Sequence, residues 1–308
     1  MDRFLGSSPP ITHLLRTLPL IAASDASVML YGETGTGKGV AAHILHAKSS
    51  RKNKPLVTIN CAALQVEGIE ADLFGRCNEA GEVEHYGRLL SAAGGTVFLD
   101  EVDALPMSIQ AKVLRFLEVG ECQLQGSHKL HLADVRILAA SNRNLHNEVD
   151  AGRFLPALFY RLHVVPITLP TLRECQDDIR MLLRYFGREF ADKNAVVRYA
   201  KKTERCLIAY SWPGNVRELI NFCQQMALLY PGKMIQLEKL PFEMFPEAAA
   251  AKKFFTLPAS GIKLAKVELD FIEQALEQSA GNRSKAARLL GISRDTLLYR
   301  MQKYSLEP

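Results

Sequence analysis

Short apolar runs alternate with longer amphipathic stretches through the first 170 residues. Ser27–Tyr31, Leu56–Asn60, Thr96–Asp100, Val135–Ser141 and Val164–Thr168 read as strands. Such alternation with helical stretches predicts a parallel sheet covered by helices. From Arg173 to about Glu243 the strand signals vanish and helical periodicity takes over, interrupted at Trp212-Pro213-Gly214-Asn215. The segment 246–261, with its alanine run, lysine pair, Pro258 and Gly261, has the composition of an exposed tether. Beyond it, Lys263–Ser279 carries Leu264, Val267, Phe271, Ile272 and Leu276 on one stripe, and two short helices follow around Gly291. The expected division is an α/β unit over 1–170, a helical subdomain over 171–245, a linker over 246–261 and an all-α unit over 262–308.

Composition narrows the class. The chain has 308 residues, 48% of them hydrophobic, enough for two or three compact cores. No apolar run approaches the length of a membrane span and no signal peptide opens the sequence, so a soluble, cytoplasmic protein with no membrane partner is expected. Six cysteines fall at irregular separations without a CxxC pair or a neighbouring histidine at ligand spacing. They are expected to be buried or incidental thiols. A net charge of +5 is too small to name a partner, so its placement matters more.

The strand-like run Val28–Tyr31 leads into Gly32-Glu33-Thr34-Gly35-Thr36-Gly37-Lys38, and a helical stretch begins near Val40. That context is a phosphate-binding loop. Glycines let backbone N–H groups converge on phosphates, the helix N-terminus adds its dipole, and Lys38 adds a point charge. Gly39 stands where a hydroxyl would ordinarily help hold Mg²⁺. Another apolar run ends in Asp100-Glu101, which places Asp100 to hold the metal and Glu101 to orient and deprotonate an attacking water. Ser141-Asn142 ends a further strand and is expected to reach the γ-phosphate, because ligands of parallel sheets bind at the carboxyl ends of strands.

Taken together these motifs resemble a family: the bacterial enhancer-binding proteins, AAA+ activators of sigma-54 RNA polymerase typified by nitrogen regulatory protein C. The resemblance spans nearly the whole chain. It rests on GETGTGK, VTINCAAL from Val57, DLFG from Asp72, GGTVFLDEVDALP from Gly94, VRILAASN from Val135, WPGNVREL from Trp212, and GNRSKAARLLGISRDTL from Gly281. It implies an AAA+ core that binds ATP and Mg²⁺, with 171–245 as its lid. By the same resemblance Asn60 is a switch restraining Glu101, Asn142 is sensor I, and Arg217 is sensor II. Arg161 becomes a catalytic arginine offered to a neighbouring subunit, in keeping with a hexameric ring.

The departures are as informative. Where the family carries GAFTGA, the loop that engages sigma-54, this chain reads Arg76–Tyr86 with Glu79, Glu82 and Glu84 and no Phe-Thr tip. The family's FREDLYYRL appears as Phe154–Leu162, with one arginine replaced by Leu155. The acidic residue usual after the P-loop lysine is Gly39. These losses fall on the steps that couple hydrolysis to work, so ATP binding with weak or conditional ATPase activity is expected.

The C-terminal stretch resembles a Fis-type helix-turn-helix that binds double-stranded DNA. Ala286 and Ala287 permit close crossing, Gly291 makes the turn, Ile292 and Leu297 fill the core, and Ser293 caps the recognition helix. Arg294, Asp295, Thr296 and Tyr299 are candidates for base contact. Arg283, Lys285, Arg288, Arg300 and Lys303 are candidates for phosphate. The helix from Lys263 is expected to pair two copies into a dimer.

Three functions compete at this point. One is a transcription regulator that acts on RNA polymerase holoenzyme without sigma-54, like the loop-deficient aromatic amino acid regulators and biofilm regulators similar to VpsR. Another is a working sigma-54 ATPase. The third is a cyclic di-GMP receptor using Arg3 and the basic run Lys48–Lys54, although His43 stands where an arginine would be expected.

Overall fold

A computed structural model of the chain describes residues 4–63, 68–80, 82–191, 195–241, 244–245, 261–279, 281–304 and 306. Arg3 and nearly all of the expected linker lie outside these residues. The chain forms two compact units, Met1–Pro246 and Glu247–Pro308.

The larger unit opens with α1 (Pro9–Ala22), β1 (Val28–Tyr31), α2 (Lys38–Ala47) and β2 (Leu56–Asn60). After α3 (Ile69–Phe74) comes a hairpin, β3 (Gly75–Cys77) and β4 (Val83–Tyr86), then α4 (Arg88–Ser91), β5 (Thr96–Asp100) and α5 (Met107–Val119). A second hairpin, β6 (Glu121–Gln123) and β7 (Leu130–Leu132), precedes β8 (Arg136–Ser141), α6 (Leu145–Asp150), α7 (Pro156–Leu162) and β9 (Val165–Thr168). The central sheet runs β2-β5-β8-β1-β9, all parallel.

Side chains of alternate parity enter different cores. Val28, Leu30, Phe98, Leu138 and Ala140 pack against α1 and α2. Met29, Val97, Leu99, Ile137 and Ala139 pack against α3, α5 and α7. Both faces are therefore buried, which is why these strands read as unbroken apolar runs. The register sets Asn60 beside Asp100 and Ser141 beside Tyr31, so the chemistry-bearing residues gather at the carboxyl edge.

The helical part of this unit contains α8 (Gln176–Glu189), α9 (Lys201–Ala209) and α10 (Asn215–Leu229). It is not free of strands. Arg198–Tyr199 (β10) pairs in parallel with Met234–Ile235 (β11), two residues each and too short to leave a periodicity. Its core closes around Trp212, fully buried, whose indole N–H donates to Leu207 O at 2.9 Å. Leu182, Leu183, Phe186, Leu207, Leu219 and Phe222 complete it.

The smaller unit holds α11 (Leu264–Gln278), α12 (Arg283–Leu289) and α13 (Arg294–Lys303) around Ile272, Ala275, Ala286, Ala287, Leu297 and Met301. On the stripe expected to pair two copies, Leu264 is 78% exposed and Phe271 51%, while Ile272 turns inward. No helix among the described residues is long and apolar enough to cross a membrane. All six cysteines are free and buried, as their spacing implied, and burial pushes the Cys61 thiol up to about 12.

Trp212 is the sole tryptophan and sits in the core of the helical part. Leu219→Ala, which hollows that core, should cost about 2–5 kcal/mol. A red-shift of Trp212 emission at distinctly lower denaturant than in the parent chain checks this.

Candidate functional site

The phosphate loop follows β1 directly and hands over to α2 at Lys38, earlier than the helical pattern alone predicts. Gly35 and Gly37 lie at φ +83° and +98°, backbone that a side chain adopts only at a cost. Each glycine also permits a close approach. A Cβ on Gly35 would fall 2.1 Å from Gly214 O, and one on Gly37 2.8 Å from the Phe4 ring. Thr36 is buried, its hydroxyl donating to Glu33 O at 2.8 Å, while Lys38 Nζ donates to Gly32 O at 2.8 Å and Glu33 O at 3.2 Å. Burial lowers the Lys38 ammonium pKa, and the Asp100 and Glu101 carboxylates oppose that shift.

Around the loop lies a cavity of about 360 Å³, lined on one side by Thr34–Val40, Asp100 and Glu101 and on the other by Arg217, Val216 and Ile220 of α10. A third wall comes from Phe4, Leu5, Cys175, Leu182 and Phe186. Its polar end is thus the P-loop and the acidic pair, and its other end is lined by apolar side chains. Glu101 adopts φ +54°, a left-handed conformation rare for a residue with a side chain, just where the chain leaves β5.

The helical part is clasped to the loop. Val216 N–H donates to Gly35 O at 3.1 Å. The buried Asn215 amide donates to Thr34 O at 3.0 Å and Glu33 Oε2 at 3.2 Å, and its oxygen accepts from Leu172 N–H at 2.8 Å. Arg173 forks onto both Glu33 oxygens, and this pairing holds the Glu33 carboxyl below its ordinary range. A second tie comes from the start of the chain. Ser7 N–H and Ser8 N–H donate to Asp178 Oδ1 at 2.7 and 3.1 Å, fastening the strap Phe4–Ser8 to the first turn of α8. Asp178 is 2% exposed.

Several expected residues sit elsewhere. Asn60 has no hydrogen bond to Glu101 among the described residues: its Oδ1 accepts from Ala62 N–H at 2.9 Å and Ala63 N–H at 3.1 Å, capping the turn after β2. Asn142 is exposed at the tip of β8, outside the cavity wall, and its neighbour Ser141 donates to Asp103 Oδ1 at 2.6 Å. Arg161 lies on the outer surface of α7, where Nε and Nη2 donate to Leu117 O at 3.2 and 2.9 Å. Gly39 has open space where a side chain would stand. In the basic run, Arg51 is held between Asp25 at 3.0 Å and Asp134 at 2.9 Å.

In the smaller unit Ser293 caps α13, accepting from Thr296 N–H at 3.2 Å, and Asn282 caps α12 through Lys285 N–H. Arg294, Asp295 and Tyr299 are exposed, as are Lys285, Arg288 and Lys303, while Arg283 is half-buried. Two calls change. The Thr296 hydroxyl hydrogen-bonds the Ser293 hydroxyl at 2.7 Å and belongs to the cap, and Arg300 is ion-paired with Glu268 of α11. The strap, Asp178, Asn215 and the Glu33–Arg173 pair carry no local signature, and sequence reasoning did not find them.

Fold and site define an AAA+ P-loop core with its lid, followed by a helix-turn-helix unit. Residues 4–168 match the sigma-54 interaction domain, 173–255 the AAA+ ATPase lid domain, and 263–304 the Fis family of bacterial regulatory proteins. Transcriptional regulatory protein ZraR of Salmonella typhimurium is 41% identical over 97% of this chain and 68% of its own length. Regulatory protein LuxO of Vibrio cholerae is 37% identical over 98% and 69%. Among solved structures, NtrX from Brucella abortus in complex with ATP superposes with a TM-score of 0.76 at 29% identity, covering 98% of this chain and 69% of that one. The chain belongs to the NtrC-type enhancer-binding proteins, regulators of the sigma-54-dependent type with an AAA+ core and a Fis-type DNA-binding unit.

A methyl at Gly35 would meet the lid backbone and strain the loop by roughly 1–2 kcal/mol. Gly35→Ala should therefore weaken nucleotide affinity about tenfold or more, whereas Gly39→Ala, with open space, should leave it unchanged. Calorimetric titration of both variants checks the pair.

Proposed function

We propose that this chain is a DNA-binding transcription regulator that holds MgATP between its P-loop, strap and lid, hydrolyses it slowly, and acts on RNA polymerase holoenzyme without sigma-54. Support for ATP comes from the shape and polarity of the cavity together with the ATP-bound relative. Lys38 and the loop amides face the phosphates, Arg217 approaches them from the lid, and the apolar end takes the base.

Among the described residues no group of three or more His, Cys, Asp and Glu side chains is arranged to hold a metal alone. Mg²⁺ fits a site shared with the nucleotide, in which Asp100 supplies protein oxygen and the phosphates supply the rest, the usual manner for this ion. Bound there it would neutralise charge on the phosphates. Glu101, beside Asp100, is the general base for water.

One observation carries the departure from sigma-54. Where the family's apolar loop would project, the chain forms the short β3–β4 hairpin, anchored at its base through Cys77 N–H to Gln125 O and Gln125 N–H to Gly75 O, both 2.9 Å. Its turn is stitched by Asn78 Oδ1, which accepts from Ala80 N–H at 3.0 Å and Glu82 N–H at 2.9 Å, and Arg76 forks onto Glu84. The described part of this stub carries Glu79, Glu82 and Glu84 beside the exposed Val83 and Tyr86, and presents no Phe-Thr tip to a polymerase. Leu155, half-buried at the start of α7, removes one of the family's two arginines from the surface expected to meet a neighbouring subunit in a hexameric ring.

The retained Lys38, Asp100, Glu101 and Arg217 favour the second reading, a working sigma-54 ATPase. Cyclic di-GMP gains less, since Arg51 is already held by two aspartates. Absence of heat on titration with cyclic di-GMP would dispose of that ligand.

ATP should bind the full chain while turnover stays far below that of relatives with an intact loop and both arginines. Leu155→Arg should raise turnover by about tenfold or more, a fraction of the 10³–10⁵ an arginine finger supplies elsewhere, and Glu101→Gln should abolish what remains. Transcription in vitro with each holoenzyme separates the readings: open complexes requiring sigma-54 and hydrolysable ATP would establish the working sigma-54 ATPase instead.

A further inference from the structure

The outer face of α8 is not used by the nucleotide cavity. Its inward residues Ile179, Leu182, Leu183 and Phe186 fill the lid core. Outward it carries Arg180, Arg184 and Arg188 at four-residue spacing, one guanidinium about every 6 Å along the axis. Arg180 and Arg184 are 53% and 68% exposed at the side chain, and Arg188 is exposed too. Both successive pairs are like charges four residues apart, an arrangement that destabilises a helix.

Among the described residues Glu204 of α9 is the counter-ion, 3.0 Å from Arg180 and 3.9 Å from Arg184, so one carboxylate faces two cations. α9 adds exposed Lys201, Lys202 and Arg205 to the same part of the lid. Between the arginines, Met181 and Tyr185 line a shallow groove, with the acidic Asp177 and Glu189 also in its lining.

From this stripe we infer a second, sequence-independent DNA surface: α8 of the lid binds the phosphate backbone of duplex DNA through Arg180, Arg184 and Arg188. The inference rests on the DNA-binding reading of the chain. A duplex offers one phosphate per about 3.4 Å of axis on each strand, so a row of arginines this closely spaced finds a partner at any register. Guanidinium forks suit phosphate oxygens, and Met181 and Tyr185 suit the deoxyribose between them. Such a surface adds affinity without adding sequence preference.

The test uses the full chain and a long duplex of random sequence, with affinity read by fluorescence anisotropy across a KCl series. Arg184→Glu with Arg188→Glu should lower affinity about tenfold at low salt and make the slope of log K against log salt shallower by about 2, near 0.9 for each phosphate lost. Arg184→Gln with Arg188→Gln guards against misfolding and should show the same slope change, with parental melting and ATP affinity. An affinity and slope equal to the parent's overturn the inference. That includes the case in which the charge-reversed chain changes only its sedimentation, which would assign the stripe to a protein partner. Failure of the parent chain to bind any duplex would instead remove the DNA reading itself.

Discussion

Everything in the larger unit that concerns nucleotide depends on two backbones meeting at Gly35. Its carbonyl accepts from Val216 N–H, and Gly214 O occupies the space a side chain would need. The peptide that cradles phosphate is therefore also a docking surface for the lid. That contact joins the loop to the N-terminal turn of α10, where Arg217 sits.

Around that contact the ties differ in character. Glu33 and Arg173 are both substantially exposed, so salt screens their attraction and they add little alone. The Asn215 amide is buried and fully engaged, and leaving its partners unsatisfied costs more than the bonds themselves gain. The strap works by the same logic on the opposite side, with two N–H groups turned onto the buried Asp178 carboxylate. A lid with its own core around Trp212, held at its base by such bonds, suits movement as a body against the sheet, with the nucleotide lodged at the joint. On the proposed reading the P-loop of this chain works as a sensing hinge, where the motif alone announces a motor.

Much of this was legible in the sequence for a physical reason. Strands buried on both faces must be apolar throughout, and a phosphate loop needs its glycines and lysine in fixed order, so Val28–Tyr31 and Gly32–Lys38 were evident. The caps at Ser293 and the small Ala286 and Ala287 follow from local geometry in the same way. What stayed hidden joins distant parts of the chain or rests on very short elements. Asp178 meets Ser7 and Ser8 across some 170 positions, and Asn215 meets Glu33 across 182. The β10–β11 pair spans two residues a strand, and Arg300 meets Glu268 from a different helix. Asn60 followed its resemblance to a switch, yet its oxygen is taken by the turn it starts.

Hydrogen exchange at the Val216 amide reports the central contact directly, because that N–H is donated to the phosphate loop. In the full chain, adding a slowly hydrolysed ATP analogue with Mg²⁺ should slow exchange at Val216 and along the first turn of α10, while the far end of α10 near Leu229 changes little. Identical exchange at Val216 with and without nucleotide would show that the lid does not read the phosphate loop, and would contradict the hinge.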